Sequence, residues 1–317
     1  MSYIQCFNVN NYKPSESLKN LYEKLVIQPI ENYLPSSVEG FRNIGSKKSI
    51  HHREVILEGG RTNFDESSEG FSPRDKVLLY CGYYLPMHLF SSYHIFSSKL
   101  SLPESNEVVF IDFGCGPLTS GIAFWAATRH SNITYIGIDK STTMLKMAEE
   151  INLHGPYGTS GRVFFEDACF ISDYNIELSE LFDEIMVGTS VDTLIIFNFS
   201  HFLQSKTFED LSNSDNNPSN IEMLGTQLEV LTSEYGDNKI CVVYQDPPRA
   251  EYQDRWHNLK SWIIPYPSMF NVSGFGWEDP TKKTVLGYFN LWGISTRRTV
   301  SYDSFNNFFY LKNYSDL

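Results

Sequence analysis

Between residues 108 and 244 the chain alternates short apolar runs with stretches of helical periodicity. Val108–Ile111 is β-branched and aromatic, too short for a helix, and reads as a buried strand. Behind it Leu118, Ile122, Trp125 and Ala126 fall on one helical face. Ile133–Ile138 predicts a second strand, and Ser141–Ile151 a helix with Met144, Leu145 and Met147 on its apolar side. Gly155, Gly158 and Gly161 then lead into a third strand, expected at Arg162–Phe165. Thr193–Phe199 predicts the fourth strand, Ile221–Tyr235 a helix, and Lys239–Tyr244 the fifth strand. Such alternation implies a mostly parallel sheet with helices on both faces. Two further strands are expected at Met269–Trp277 and Thr284–Ile294, around the polar segment Glu278–Lys283.

The first hundred residues follow another pattern. Leu18, Leu21, Leu25 and Ile30 set a helix over Ser15–Tyr33. Residues 35–72 are rich in Ser, Gly and charge and read as a long polar interruption, a length that marks a functional or mobile loop. Ser72, Pro73 and Asp75 then supply an N-cap, a first-turn proline and an acid at the third position. The helix they start runs to about Lys99 and is kinked or divided by Pro86. The expected organisation is a helical N-terminal cap over 1–100 and a sheet domain over 101–317, with a polar insertion at about 205–219.

Composition narrows the class. With 317 residues, 41% hydrophobic and 20% charged, the chain is globular and long enough for a sizeable core. A net charge of −13 argues against a sequence-independent grip on nucleic acid, which needs phosphate-neutralising Lys and Arg. Ser46–Arg53 is the best local basic cluster. The five cysteines are scattered and odd in number, without a C-x-x-C pair. No disulfide framework or metal site is therefore expected, and a reducing cytoplasm fits. The N-terminus has no signal-peptide pattern, and no run approaches ~18 apolar residues, so no membrane partner is expected. Nothing in the sequence speaks to oligomeric state.

The candidate chemistry sits at the strand ends. The first strand runs into Asp112 and a turn with Gly114 and Gly116, with Pro117 suited to a first helical turn. A strand, a glycine turn and a helix N-terminus bring bare backbone N–H groups to a ligand. The dinucleotide fingerprint G-x-G-x-x-G would need glycine at 119, where Thr119 stands, so other nucleotide binders fit this unit too. Asp139 closes the second strand, where a carboxylate can accept from both ribose hydroxyls; Glu166-Asp167-Ala168 is expected to close the third. His201 follows the fourth and is the best-placed general base, the alternative being a hydrogen-bonded histidine at a helix start. Tyr83, Tyr84 and His88 either line an acceptor entrance or pack as an aromatic stripe. Asp246-Pro247-Pro248-Arg249 ends the fifth strand, with Asp246 as a pocket wall or an amine acceptor.

Taken together, Asp112-x-Gly114-x-Gly116, Asp139 and Asp167 make the stretch from about Glu107 to Asp246 resemble the core of class I S-adenosylmethionine (SAM) dependent methyltransferases. That resemblance implies a Rossmann-like α/β fold, a seven-stranded sheet with an antiparallel last strand, SAM as cofactor and S-adenosylhomocysteine (SAH) as product. It implies Gly114 and Gly116 near the methionine part of SAM, Asp139 on the ribose and Asp167 by the adenine. Asp112, Cys115, Lys140, Ala168 and Asn198 complete the implied cofactor set. Asp246-Pro247-Pro248 resembles the amine-positioning motif of adenine and glutamine N-methyltransferases, although it follows strand five and Arg249 replaces an aromatic residue. YCGYYLPMHLF ahead of FGCGP and FWAA is similar to methyltransferase-like proteins of the mitochondrial small ribosomal subunit, whose cysteine cluster is absent here. The expectation is a methyltransferase with a small-molecule acceptor. A nucleic-acid or protein acceptor, or a non-catalytic SAM-binding sensor or scaffold, is the alternative. The acceptor is not legible, because fold does not give substrate.

Overall fold

A hairpin opens the chain: β1 (Ile4–Asn8) turns back into β2 (Asn11–Pro14), so the N-terminal region is not wholly helical. The computed structural model describes residues 4–8, 11–42, 45–98, 107–128, 132–156, 163–172, 178–186, 193–208, 219–234, 239–246, 249–263, 284–291, 294–301 and 306–312. Ser15 caps α1 (Glu16–Tyr22) by accepting from the Leu18 N–H, and a π-helical turn joins it to α2 (Gln28–Tyr33). The stretch 35–72 is largely folded rather than a structureless loop. It holds α3 (Val38–Arg42), α4 (Lys47–His51), a π-helical turn at His52–Ile56 and a 3-10 turn at Glu58–Gly60. Ile56, Leu57 and Phe64 anchor it in the core. The Ser72–Asp75 capping box forms as the sequence implies and starts α5 (Pro73–Tyr83). Pro86 divides the helix: α6 (Leu85–Ser98) begins afresh with the proline in its first turn, where a missing N–H costs nothing.

Next come β3 (Val108–Phe113), α7 (Thr119–Ala127), β4 (Ile133–Ile138), α8 (Thr142–His154) and β5 (Asp167–Ile171). They are followed by α9 (Leu178–Met186), β6 (Leu194–Ser200), α10 (Asn220–Glu234), β7 (Lys239–Asp246) and α11 (Ala250–Ile263). The chain ends in β8 (Thr284–Leu291), β9 (Ile294–Ser301) and β10 (Asn306–Lys312). The main sheet has the order β5-β4-β3-β6-β7-β10. Its first five strands are parallel, and β10 lies antiparallel on β7. This is the doubly wound order, with its reversal between β3 and β6.

Three expectations are corrected. The main sheet has six strands among the described residues, not seven. Thr284–Leu291 joins β9 and the N-terminal hairpin in a separate sheet ordered β1-β2-β8-β9, while the strand expected at Met269–Trp277 lies outside the described residues. The third strand is Asp167–Ile171, not Arg162–Phe165. Phe164 and Phe165 look like strand residues, but the Asn152 side chain of α8 takes both backbone groups of Phe165, at 2.9 and 3.2 Å. Helix α9 is additional to the elements expected.

Alternation along the strands builds two cores. Val108 and Phe110 of β3, with Leu194 and Ile196 of β6, face α6, α7, α8 and the N-terminal helices. Val109, Ile111 and Phe113, with Ile195, Phe197 and Phe199, face α9, α10 and α11. The N-terminal helices thus share one continuous core with the sheet face that they cover.

Candidate functional site

A cleft of about 740 Å³ opens beyond the carboxyl ends of β3, β4 and β6. That is the switch point, where ligands of open α/β sheets bind. Gly114 and Gly116 come to it from β3, Asp139, Lys140 and Ser141 from β4, and His201 and Phe202 from β6. Residues 60–66 and Tyr80 form one wall, and Gln204–Thr207 another. A Glu58–Lys206 ion pair joins the second wall to the segment just before the first.

The glycine turn is built differently from the expectation of bare N–H groups. Gly114 and Cys115 both donate to the Ile138 carbonyl, at 2.7 and 3.1 Å, and Gly116 donates to Asp139 Oδ2 at 2.9 Å. What the turn offers the cleft is backbone without side chains. Gly114 and Gly116 have φ of 70° and 51°, the left-handed region where a Cβ is strained. Pro117 precedes the helix instead of starting it, because Leu118, also left-handed, holds the N-cap position of α7. The close helix–strand approach that a third fingerprint glycine would allow is made by Gly121, where a Cβ would stand 2.8 Å from the Tyr135 ring.

Asp139 is half-buried at the end of β4 and faces the cleft. Its Oδ1 accepts from the Ser141 N–H at 2.9 Å, and its Oδ2 from Gly116. Burial raises its pKa to about 6 against these two bonds. Two of a carboxylate's roughly four acceptor directions remain for hydroxyl donors. Lys140 is exposed at the rim.

Other members of the implied cofactor set stand elsewhere. Asp112 lies beneath the cleft, fully buried, accepting from Tyr135 on β4 at 2.8 Å and from Asn198 on β6 at 2.7 Å. Ser200 closes this network onto Asn198 at 2.9 Å. Burial lifts the Asp112 pKa to about 7 even so. Asp112 and Asn198 therefore tie three strands together under the floor. The Cys115 thiol is buried against Gly137, and burial pushes its pKa up. Asp167 and Ala168 are placed at the wrong end of the sheet. They begin β5 instead of ending it, and Asp167 accepts from Thr134 Oγ1 near the amino end of β4 at 2.7 Å. No adenine contact through them fits this geometry. After β5 the next acid in sequence is Asp173, outside the described residues.

His201 follows β6 in a left-handed conformation, φ 61°, with its N–H bonded to the Gln245 carbonyl at 2.6 Å. Both ring nitrogens are shut off from solvent. Burial, and then His88, push its pKa well below 6.5, against a side-chain bond from Gln245. The expected titration near neutrality is thus corrected downward. His88 stacks on this ring and bonds the Tyr80 hydroxyl at 3.3 Å. Tyr83 is no entrance residue, being buried in the core with its hydroxyl on His52 at 3.0 Å. Tyr84 packs on Tyr80 and His88 behind the wall. Asp246 is buried behind the 201–205 loop, where its Oδ2 accepts from the Leu203 N–H.

The sequence marks 35–72 as a functional or mobile stretch but does not single out residues 60–66 as a wall of the cleft. Its strongest member is Asp65, which accepts from Ser141, Thr142 and Thr143 at 2.7–3.1 Å across the start of α8. An acid aligned with a helix start offered no local signal, because its partners lie so far along the chain. Tyr80, one helical turn before Tyr84, could have been found from the aromatic stripe.

No family model and no curated protein matches the sequence. Among solved structures, the chain is similar to precorrin-6y C5,15-methyltransferase from Geobacter metallireducens. The identity is 9%, over 70% of this chain and 88% of that one, with a TM-score of 0.36. It is also similar to magnesium protoporphyrin IX methyltransferase from Synechocystis, solved with bound SAM, at 11% identity over 83% and 94% of the two chains and a TM-score of 0.32. A plantazolicin methyltransferase in complex with SAH matches at 17% identity over 74% and 81%, with a TM-score of 0.33. Likenesses this remote bear no weight for function, and the fold assignment rests on the strand order of this chain. Among the described residues no helix is long and apolar enough to cross a membrane, and no cluster of His, Cys, Asp and Glu could hold a metal ion.

Proposed function

We propose that this chain, whose fold is that of class I methyltransferases, binds SAM and transfers its methyl group to a small-molecule acceptor. One observation carries the reading: Asp139 and the Gly114–Gly116 turn meet at the switch-point cleft, hydrogen-bonded to each other. The cleft has the volume of a cofactor site. Asp139 keeps acceptor capacity for ribose hydroxyls, and the glycine faces leave room for a ligand to lie against backbone.

SAM, when bound, supplies an electrophilic methyl on a sulfonium sulfur. The residues of this chain then have to align and to exclude water. Asp139 would fix the ribose, and the turn would set the distance of the reacting end from β3. The cleft lies between the walls at 60–66 and 204–207, which suits a small acceptor better than a polymer. The chain's −13 charge favours the same choice. His201 lies at the end of β6 on the cleft. Held neutral by its surroundings, it would accept a proton from an oxygen or nitrogen acceptor that must lose one. Its depressed basicity also favours the second reading, a SAM-binding sensor without turnover. Titration calorimetry with SAM and SAH tests binding, and methyl release on cell extract then separates enzyme from sensor.

A further inference from the structure

His201 occupies a backbone region unfavourable to a side-chain-bearing residue. Such conformations persist only where the surroundings over-determine them. The surroundings here are two buried polar side chains converging on the backbone of one residue. Asp246, at the end of β7, accepts the Leu203 N–H on Oδ2 at 3.1 Å. Arg255, on α11, donates from Nη1 to the Leu203 carbonyl at 2.7 Å. Both are buried, and Asp246 Oδ1 has no hydrogen-bond partner among the described residues. An orphaned carboxylate oxygen is a poor way to stabilise a fold, since an apolar residue could fill the space at less cost. The pair makes sense as a device for geometry.

We propose that Asp246 and Arg255 clamp the Leu203 backbone and thereby hold His201 in its left-handed position, stacked on His88. They are positioning residues, and their place in the reaction rests on the reading of His201 given above. The neighbouring Gln245 works with them, its carbonyl taking the His201 N–H and its side chain bonded to Ser91 and Ser92 of α6. One strand end therefore pins the loop at residues 201 and 203. Proline residues 247 and 248 next to Asp246 gave the sequence motif its look of an amine-binding site; the geometry of Asp246 is that of a loop anchor instead.

The test reads the ring of His201 in the full chain by nitrogen-15 NMR against pH. His88 of α6 faces that ring, with Tyr80 of α5 behind it; Gln245 of β7 bonds it, and Asp139, Lys140 and Lys206 stand on the same cleft. In Asp246→Ala and Arg255→Met the loop is expected to release, and the His201 titration to climb toward the ordinary histidine value of about 6.5. Asp246→Asn and Arg255→Lys, which keep an acceptor and a donor, are expected to restore most of the low value. Should Arg255→Met fail to fold, Arg255→Gln is expected to show the same rise in smaller measure. An unchanged His201 titration in folded Asp246→Ala and Arg255→Met or Arg255→Gln overturns the clamp. SAH titration of the unmodified protein addresses the methyltransferase reading separately, so a failure of one is not read as failure of the other.

Discussion

The imidazoles of His88 and His201 lie nearly face to face, with centroids 3.8 Å apart and planes 15° from parallel. Two charged rings cannot share that stack in a buried site, and burial pushes His88 down to about 4 and His201 well below 6.5. His201 is therefore a neutral acceptor at physiological pH. If it is the base, His201→Ala lowers turnover by about 10²–10⁴-fold and leaves SAH affinity unchanged. The rate of the unmodified protein stays flat, as far as this group is concerned, across the ordinary histidine range of about 6–7. At saturating SAM, where the Asp139 titration no longer enters through affinity, a rate that rises through that range contradicts the neutral state assigned to His201, and wild-type turnover in His201→Ala gives the residue to structure.

The two turn glycines separate folding from binding. A Cβ on Gly114 would meet the Phe202 ring at 2.8 Å, whereas one on Gly116 meets nothing within 4 Å. Gly116→Ala is expected to cost only the left-handed strain, about 1–2 kcal/mol, and to lose SAH affinity because its methyl enters the cleft. Gly114→Ala should be the less stable of the two by thermal unfolding. The reverse order of melting temperatures would show that the 201–205 loop yields easily.

Asp65 makes a third case. Its carboxylate caps the start of α8 from a distant segment, and the bonds from residues 141–143 hold its pKa below the ordinary 3.8 despite some burial. A depressed carboxylate contributes stability that is present above 3.8 and lost as pH falls through its folded pKa. Asp65→Asn is expected to cost about 0.3–1 kcal/mol, the range for an exposed charge at a helix start. It should also speed amide exchange over 57–66 near neutral pH, and equal exchange rates would show that the wall is held without Asp65, by the buried Phe64 and the Lys76 ammonium that donates to the Asn63 carbonyl.

How far the sequence carried depends on where each signal lay. The strands β3, β4, β6 and β7 are buried on both faces and show as apolar runs, so four of the five parallel strands were legible. β5 was displaced because its residues are mixed, while Phe164 and Phe165 just before it are apolar but bonded to Asn152. That displacement carried Asp167 with it, and a strand end misplaced by a few residues turns a site residue into a residue at the far edge of the sheet. The 60–66 wall and the Leu203 clamp were beyond reach for another reason. Their partners lie far apart in the chain, and only the folded sheet brings Asp246 and Arg255 onto one loop.

Asp139 has a pH dependence of its own. Burial raises it from 3.8 to about 6, so the folded protein holds this proton more tightly than the unfolded chain does. Its destabilising share is present above about 6 and is relieved as pH falls toward 3.8. Hydroxyl donors favour the ionised form, so SAH affinity is expected to rise with pH through about 6 and then level off. Calorimetric titrations from acid to neutral pH check this, and a flat profile would mean that Asp139 is ionised throughout or makes no contact.

The most direct measurement is the affinity of SAH for the unmodified chain and for Asp139→Ala. Loss of charge-assisted bonds to two ribose hydroxyls should weaken binding by about 2–3 kcal/mol, with the fold intact by circular dichroism. Binding of SAH to the unmodified chain, weakened by that amount in the variant, is the expected result. Equal affinities, or no binding of SAH to the unmodified chain, would contradict the assignment of this cleft to SAM.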